Sequence, residues 1–351
     1  MLNRLPERTR TLLLCLAGAA GLAAESPSVT NATLTAVPGI KVGHYTLTQR
    51  PTGCTVILAE GGATAGVDVR GAAPATRETD LLDPVDLVQQ IHAVVLSGGS
   101  AFGLDSASGV MKYLEEKGIG FPFGGVHVPT VPAASLFDLP VGNPRIRPTA
   151  ECGYQAAKAA RTTPVKEGSI GAGAGATVGK TAGITHAMKG GIGSAAIAMP
   201  DGLIVAALVA LNAAGDVIDP ATGQVVAGAR AADGKTFLDA RKLLRGGGAQ
   251  PAAGARQNTT LGVVATNAVL TKTQARRVAQ MAHDGFARAI FPSHTDVDGD
   301  TIFALATGAK PGEADASRIG ALAADVVAEA IIRAARQATG VPGFPALRDL
   351  R

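Results

Sequence analysis

Short apolar stretches bounded by Gly, Pro or Asp recur along the chain and predict strands. They are Thr55–Leu58, Ala65–Val69, Ala93–Leu96, Ala195–Met199, Leu203–Val209, Leu261–Thr266 and Ile302–Ala306. Several are almost wholly apolar, as strands are when both faces of their sheet are covered. Helical periodicity lies between them. Over Lys272–Ile290 the residues Ala275, Val278, Ala279, Ala282, Phe286 and Ile290 share one face, and Thr271 with Gln274 forms a capping-box start. Ala314–Thr339 predicts a second long helix, stopped by Gly340, and Leu104–Lys117 ends in the same way at Gly118. Thr149–Arg161 is a fourth helix. Strands come in runs before helices and do not alternate strictly with them. That order favours layered sheets with helices outside over a doubly wound parallel sheet. From Pro220 to Gln257 the chain is rich in Ala, Gly, Arg and Gln and reads as a flexible linker, with one helix near Thr236–Leu244. It runs directly into Asn258-Thr259-Thr260 and then a firm strand, which is where a processing site belongs.

Composition sharpens this picture in three ways. With 351 residues, 46% hydrophobic and only 17% charged, the chain has a core to bury and is not disordered. Residues 1–24 read as an export signal: Arg4, Arg8 and Arg10 precede the apolar run Leu12–Ala17, and small residues end at Ala23-Ala24. That run is too short to anchor the chain in a bilayer, so the expected location is periplasmic or secreted, with no membrane partner. The formal charge of +4 belongs partly to this segment, whose three arginines and one Glu carry +2. The remainder is nearly neutral, without a basic stripe or aromatic platform, which argues against nucleic acid. Beyond residue 24, only Cys54 and Cys152 remain as cysteines. Spacing does not pair them, and two separate buried thiols are the expectation.

Candidate chemistry gathers in four places. A threonine hydroxyl is a poor nucleophile unless a base takes its proton; if Thr259 becomes an N-terminus, its own α-amine, with a pKa of roughly 7.7–8, is that base. By itself Thr259 also looks like an ordinary strand start. The segment His294-Thr295-Asp296-Val297-Asp298-Gly299-Asp300-Thr301 carries three carboxylates, yet departs from the calcium loop, with Gly299 in the fourth place and Thr307 in the twelfth. It reads either as a turn or as carboxylates that orient an ammonium or hydroxyl. Ala174–Thr181 nearly fits the nucleotide phosphate loop through Gly179-Lys180-Thr181, but lacks a strand before and a long uninterrupted helix after. Lys180 is still useful as a cation that depresses a neighbouring amine's pKa or stabilises an oxyanion. Asn212, after a strand, is either an oxyanion donor or a turn residue. No Gly-x-Ser-x-Gly elbow and no His or Cys cluster with metal-ligand spacing occurs, so no cofactor or metal is expected.

Taken together, the segments Asn258–Asn267 and Pro292–Thr301 resemble the self-processing peptidases of the L-aminopeptidase/D-esterase group. That group includes β-aminopeptidases and 6-aminohexanoate-oligomer hydrolases. Val37–His44, Leu96–Leu104 and the Gly-Lys loop extend the resemblance over most of the chain beyond the export segment. The resemblance implies an α+β fold, an αββα four-layer sandwich of two stacked sheets flanked by helices. It implies cleavage between Asn258 and Thr259, giving subunits 25–258 and 259–351 of one catalytic domain. Thr259 would be the nucleophile, assisted by Lys180 and Asn212, with Asp298 and Asp300 beside it. Thr after Asn looks more like the oligomer hydrolases than the aminopeptidases, which use Ser. Where some members carry a pocket tyrosine, this chain reads Leu136-Phe137-Asp138. The implied activity is hydrolysis of short peptides or oligoamides by a homo-oligomer of processed heterodimers. The rival readings are a hydrolase using another nucleophile, a self-cleaving acetyltransferase, a nucleotide-binding module using Lys180, and a binding protein without chemistry.

Overall fold

In the computed structural model the described residues are 31–247 and 258–350. The expected export segment and the Gly/Ala run at 248–257 lie outside them. Nine strands form the main sheet: β1 (Lys41–Thr46), β2 (Gly53–Val69), β3 (Thr76–Arg77), β4 (Ile91–Ser97), β5 (Ala133–Ser135), β6 (Gly191–Ala198), β7 (Ile204–Leu211), β8 (Leu261–Ala268) and β9 (Thr301–Lys310). They are bonded in the order β6-β7-β8-β9-β2-β4-β5-β3, with β1 also on β2. The expected strands Thr55–Leu58 and Ala65–Val69 are two halves of one 17-residue strand, β2. Its first half pairs with β1 and β4, and its second half with β9, with a register break between Leu58 and Ala63. One strand therefore belongs to two sheets, and the sheets stack.

Alternation along the strands explains why they are apolar throughout. On β7, Ala206, Leu208 and Ala210 face the other sheet and, with Val263 and Phe303 of their own sheet, form one buried cluster with its Ile57, Val94 and Leu96. The intervening Val205, Ala207 and Val209 face outward onto helices. There lie α4 (Lys272–Ala289) and α5 (Ala316–Gln337), the short α3 being Ala240–Arg245. Over the opposite sheet, Val56, Leu58, Ala93 and Val95 pack against α1 (Ser106–Glu115) and α2 (Ala150–Ala159). Three buried layers between four structural ones make the expected αββα sandwich.

Local signals mostly hold. The Thr271–Gln274 capping box starts α4, and Gly118, at φ 66°, follows α1. The stop at Gly340 is not used: α5 ends at Gln337, with Ala338 already off the helix. Two expectations are corrected. The helix expected near Thr236–Leu244 is α3, but the stretch from Pro220 is not a flexible linker as far as Gly247, because it also contains a strand, Val225–Ala227. The buried Asp216 carboxylate accepts from Ala229 N at 2.8 Å and Ala240 N at 2.7 Å, which ties that stretch down. Cys54 and Cys152 are not separate thiols but a disulfide between β2 and α2, with Cα atoms 6.2 Å apart.

Candidate active site

The site lies where strand ends meet. β8 and β9 are neighbours and parallel, in the register Leu261↔Thr301, so the residues leading into them arrive at the same end of the sheet. β7 runs antiparallel to β8, with Ala210 opposite Leu261, which brings Asn212 to the same place. Asn258, Thr259, Lys180, Asn212, Asp298 and Asp300 are all buried there.

The Asn258–Thr259 peptide is gripped on both sides. Thr259 N–H donates to the Asn212 carbonyl oxygen at 3.0 Å, and Asn258 N–H to that of Val297 at 2.8 Å. The Asn258 carbonyl oxygen accepts two bonds, from Gly299 N–H at 2.8 Å and from the Thr259 hydroxyl at 2.5 Å. Gly299 is required by space: a Cβ on it would stand 2.6 Å from Thr259 Oγ1. Asp300 accepts from Thr260 N–H through Oδ1, and its Oδ2 takes His294 N–H and pairs with His294 Nδ1 at 2.9 Å. Asp298 Oδ2 accepts from the Thr295 hydroxyl and N–H, while its buried Oδ1 has no partner among the described residues.

Lys180 and Asn212 form the opposite wall. Lys180 Nζ donates to Asn212 Oδ1 at 3.1 Å, and Thr177 N–H donates to the same oxygen at 2.9 Å. Asn212 Nδ2 donates to the Phe137 main-chain carbonyl at 3.0 Å, which holds the asparagine in place. The loop around Lys180 lacks the geometry of a nucleotide phosphate loop. Only a short 3-10 turn, Ile184–His186, follows it, and the amine points at Asn212 instead of solvent. Among the described residues, no group of three or more His, Cys, Asp or Glu side chains is placed to hold a metal ion.

The sequence profile of Peptidase family S58 matches residues 32–347. The chain belongs to Peptidase family S58. A Mycobacterium tuberculosis relative described as an uncharacterized aminopeptidase is 42% identical, covering 90% of this chain and 97% of the relative. A Kocuria 6-aminohexanoate-oligomer endohydrolase is 30% identical, over 85% of this chain and 84% of its own. Two solved structures share the fold. The Burkholderia beta-aminopeptidase has a TM-score of 0.65 at 23% identity, covering 91% of this chain and 93% of its own. The L-aminopeptidase D-Ala-esterase/amidase of Ochrobactrum anthropi, described as a variant of the Ntn hydrolase fold, has 0.66 at 18%, covering 90% and 89%.

Charges in this candidate site are set mainly by burial. Burial pushes the Lys180 ammonium from 10.5 down to about 7; Asp298, Asp138 and Asp300 pull it back up, and Lys189 pushes it further down. Burial also raises the Asp298 carboxyl, helped by the charge of Asp300, while the bonds from Thr295 oppose the shift. Lys189 is itself buried, depressed to about 7, and donates to the carbonyls of Ala174 and Ala176, which fixes the loop carrying Thr177. Sequence reasoning did not assign a role to His294, Thr177, Lys189 or the Gly299 N–H. His294 lay inside a quoted motif, but main-chain donors leave no mark in residue identity.

Proposed function

We propose that this S58 peptidase cuts itself between Asn258 and Thr259 and then uses the N-terminal Thr259 to hydrolyse amide bonds of short peptides or oligoamides. The observation that carries the reading is the paired grip on the Asn258 carbonyl: the Thr259 hydroxyl and the Gly299 N–H both reach its oxygen. One is the attacking group, and the other is a donor aimed where negative charge develops. In the first step Thr259 Oγ1 adds to the Asn258 carbonyl carbon and gives its proton to the neutral amine of Lys180. The Thr259 nitrogen then leaves with a proton, and an ester joins Asn258 to Thr259 Oγ1. Water adds to that ester, which releases the Asn258 carboxylate, restores the hydroxyl and frees the Thr259 amine.

In the cleaved enzyme the amine deprotonates the hydroxyl, Oγ1 attacks a substrate amide, and the substrate's amine departs. Water then hydrolyses the acyl-threonine. Lys180 keeps the Thr259 amine from being permanently protonated by charge repulsion. Asp300 holds the strand start through Thr260 N–H, the charge of Asp298 acts on Lys180, and Asn212 anchors both Lys180 and Thr259. The proposal includes subunits 25–258 and 259–351, association of these heterodimers into a homo-oligomer, and export directed by residues 1–24. A disulfide between Cys54 and Cys152 is in keeping with an oxidising compartment.

The test is the intact mass of the purified protein with N-terminal sequencing. It should give a C-terminal fragment of about 9 kDa, at the chain's mean residue mass, beginning Thr-Thr-Leu-Gly-Val. Thr259→Ala should stay whole and inert towards amides. An active Thr259→Ala protein removes the mechanism.

A further inference from the structure

We propose that Lys189 is a positioning residue: its side-chain amine gathers two main-chain carbonyls, and the loop so held sets Asn212, Lys180 and Thr259. The inference rests on Lys180 and Thr259 acting as read above. Lys189 is fully buried. It lies on a two-stranded ribbon in which Thr177–Val178 pairs with Met188–Lys189, with Thr177 directly opposite Lys189. Its Nζ donates to the Ala174 carbonyl at 2.7 Å and to the Ala176 carbonyl at 2.8 Å. Between those two residues Gly175 packs so closely on the Pro51 carbonyl and the Asp138 carboxylate that a Cβ has no room. Asp138 is itself fixed by Arg50, the Thr52 hydroxyl and the Gly99 N–H. The loop is therefore clamped between Lys189 and Asp138.

Hydrogen bonds lead from this clamp to the Asn258–Thr259 peptide. Thr177 N–H, next along the chain, donates to Asn212 Oδ1 at 2.9 Å. The same oxygen accepts from Lys180 Nζ at 3.1 Å, and the Asn212 carbonyl accepts from Thr259 N–H at 3.0 Å. Lys189 acts on the reacting groups only through this series. Its chemistry suits the place. Burial lowers the amine to about 7 against the pull of Asp138. Once neutral it keeps two N–H donors, the number the two carbonyls need, so the loop is gathered without a buried charge. Removing the amine takes a donor from each of two carbonyls away from water, and the loop relaxes to recover the loss.

The experiment measures the self-cleavage rate by mass after a pH jump for Lys189→Met, Asn212→Ala and the two combined, with folding checked by circular dichroism. Methionine fills a similar volume and donates nothing. Lys189→Met alone should slow cleavage by about tenfold or more, the effect of bonds to buried groups left unmade. In the Asn212→Ala background it should cost less than about threefold, because the side chain it acts through is gone. A Lys189→Met rate within about twofold of wild type, or equal slowing in both backgrounds, overturns the proposal. If Lys189→Met does not fold, Lys189→Gln, which carries two N–H donors on a shorter stem, runs the same cycle and is judged by the same results. A second measurement needs no cleavage. In the Thr259→Ala chain, amide hydrogen exchange at Thr177 should quicken by about tenfold or more when Lys189→Met is added. Unchanged protection of Thr177 overturns the proposal as well. A wild-type chain that stays whole removes the self-cleavage reading alone, and the Thr177 exchange then decides for or against Lys189.

Discussion

Lowering the pH should switch off self-cleavage through Lys180. An amine of pKa 10.5 is neutral in about one molecule in 3,000 at pH 7, whereas one at about 7 is neutral in half. Burial thus enlarges the base form roughly 1,500-fold. Below pH 7 the neutral fraction falls about tenfold per unit, so cleavage at pH 5 should be roughly fiftyfold slower than at pH 7 and should level off above pH 8. Lys180→Met should slow cleavage by about two to four orders of magnitude and flatten the profile. The assay refolds the chain from urea at pH 5 to collect the uncut form, jumps the pH to values between 5 and 9, and follows the fragment by mass. Stability must be tracked alongside, and its sign is fixed. The folded pKa lies below the unfolded one, so between about 7 and 10.5 the unfolded chain binds more protons. The penalty from this amine is therefore complete below pH 7 and fades as pH rises across that window. Circular dichroism at each pH separates slow cleavage from unfolding. A folded chain that cuts at one rate from pH 5 to 8, or a Lys180→Met chain with unchanged rate and profile, refutes the reasoning.

Gly299→Ala should leave the chain whole by mass spectrometry, since its Cβ would stand 2.6 Å from both Thr259 Oγ1 and the Ala73 carbonyl; normal cleavage would mean that the nucleophile sits elsewhere. Arg50→Met should cost about 3–5 kcal/mol in urea denaturation, because it leaves a buried Asp138 carboxylate without its cation. A loss below about 1 kcal/mol would show the pair to be dispensable. Reducing the Cys54–Cys152 bridge, which spans 98 residues, should lower stability by about 2–4 kcal/mol. An unchanged denaturation midpoint with and without reductant would count against that bridge.

How much could be read in advance differs by element. Helix α4 was legible to within a residue, because its capping box and its apolar stripe are local properties of the chain. The strands β7 and β8 were legible as apolar runs, since burial on both faces demands such runs. The long β2 was not. Glu60-Gly61-Gly62 reads as a break, and only pairing with β4 on one side and β9 on the other carries the strand through it. In the Ala- and Gly-rich stretch after Pro220 the helix was legible but the rest was not, because its order comes from outside it, from pairing with Asp216–Ile218 and from the Asp216 carboxylate.

The sequence by itself determined the main apolar strands and the long helices, the layered class of fold, and the residue types at the candidate site. Those signals are local: side-chain shape, capping and alternation act within a few residues of each other. Tertiary structure decided what those residues can do together. Residues 258–259 and 298–300 are some 40 positions apart, and only the parallel register of β8 and β9 sets them against one another. It also decided that Asn212 faces Lys180 and the Phe137 carbonyl, and that His294 pairs with Asp300. Above all it decided that Gly299 turns its N–H onto the Asn258 carbonyl. The direction of a main-chain N–H depends on strand register and turn geometry, and no residue name encodes it.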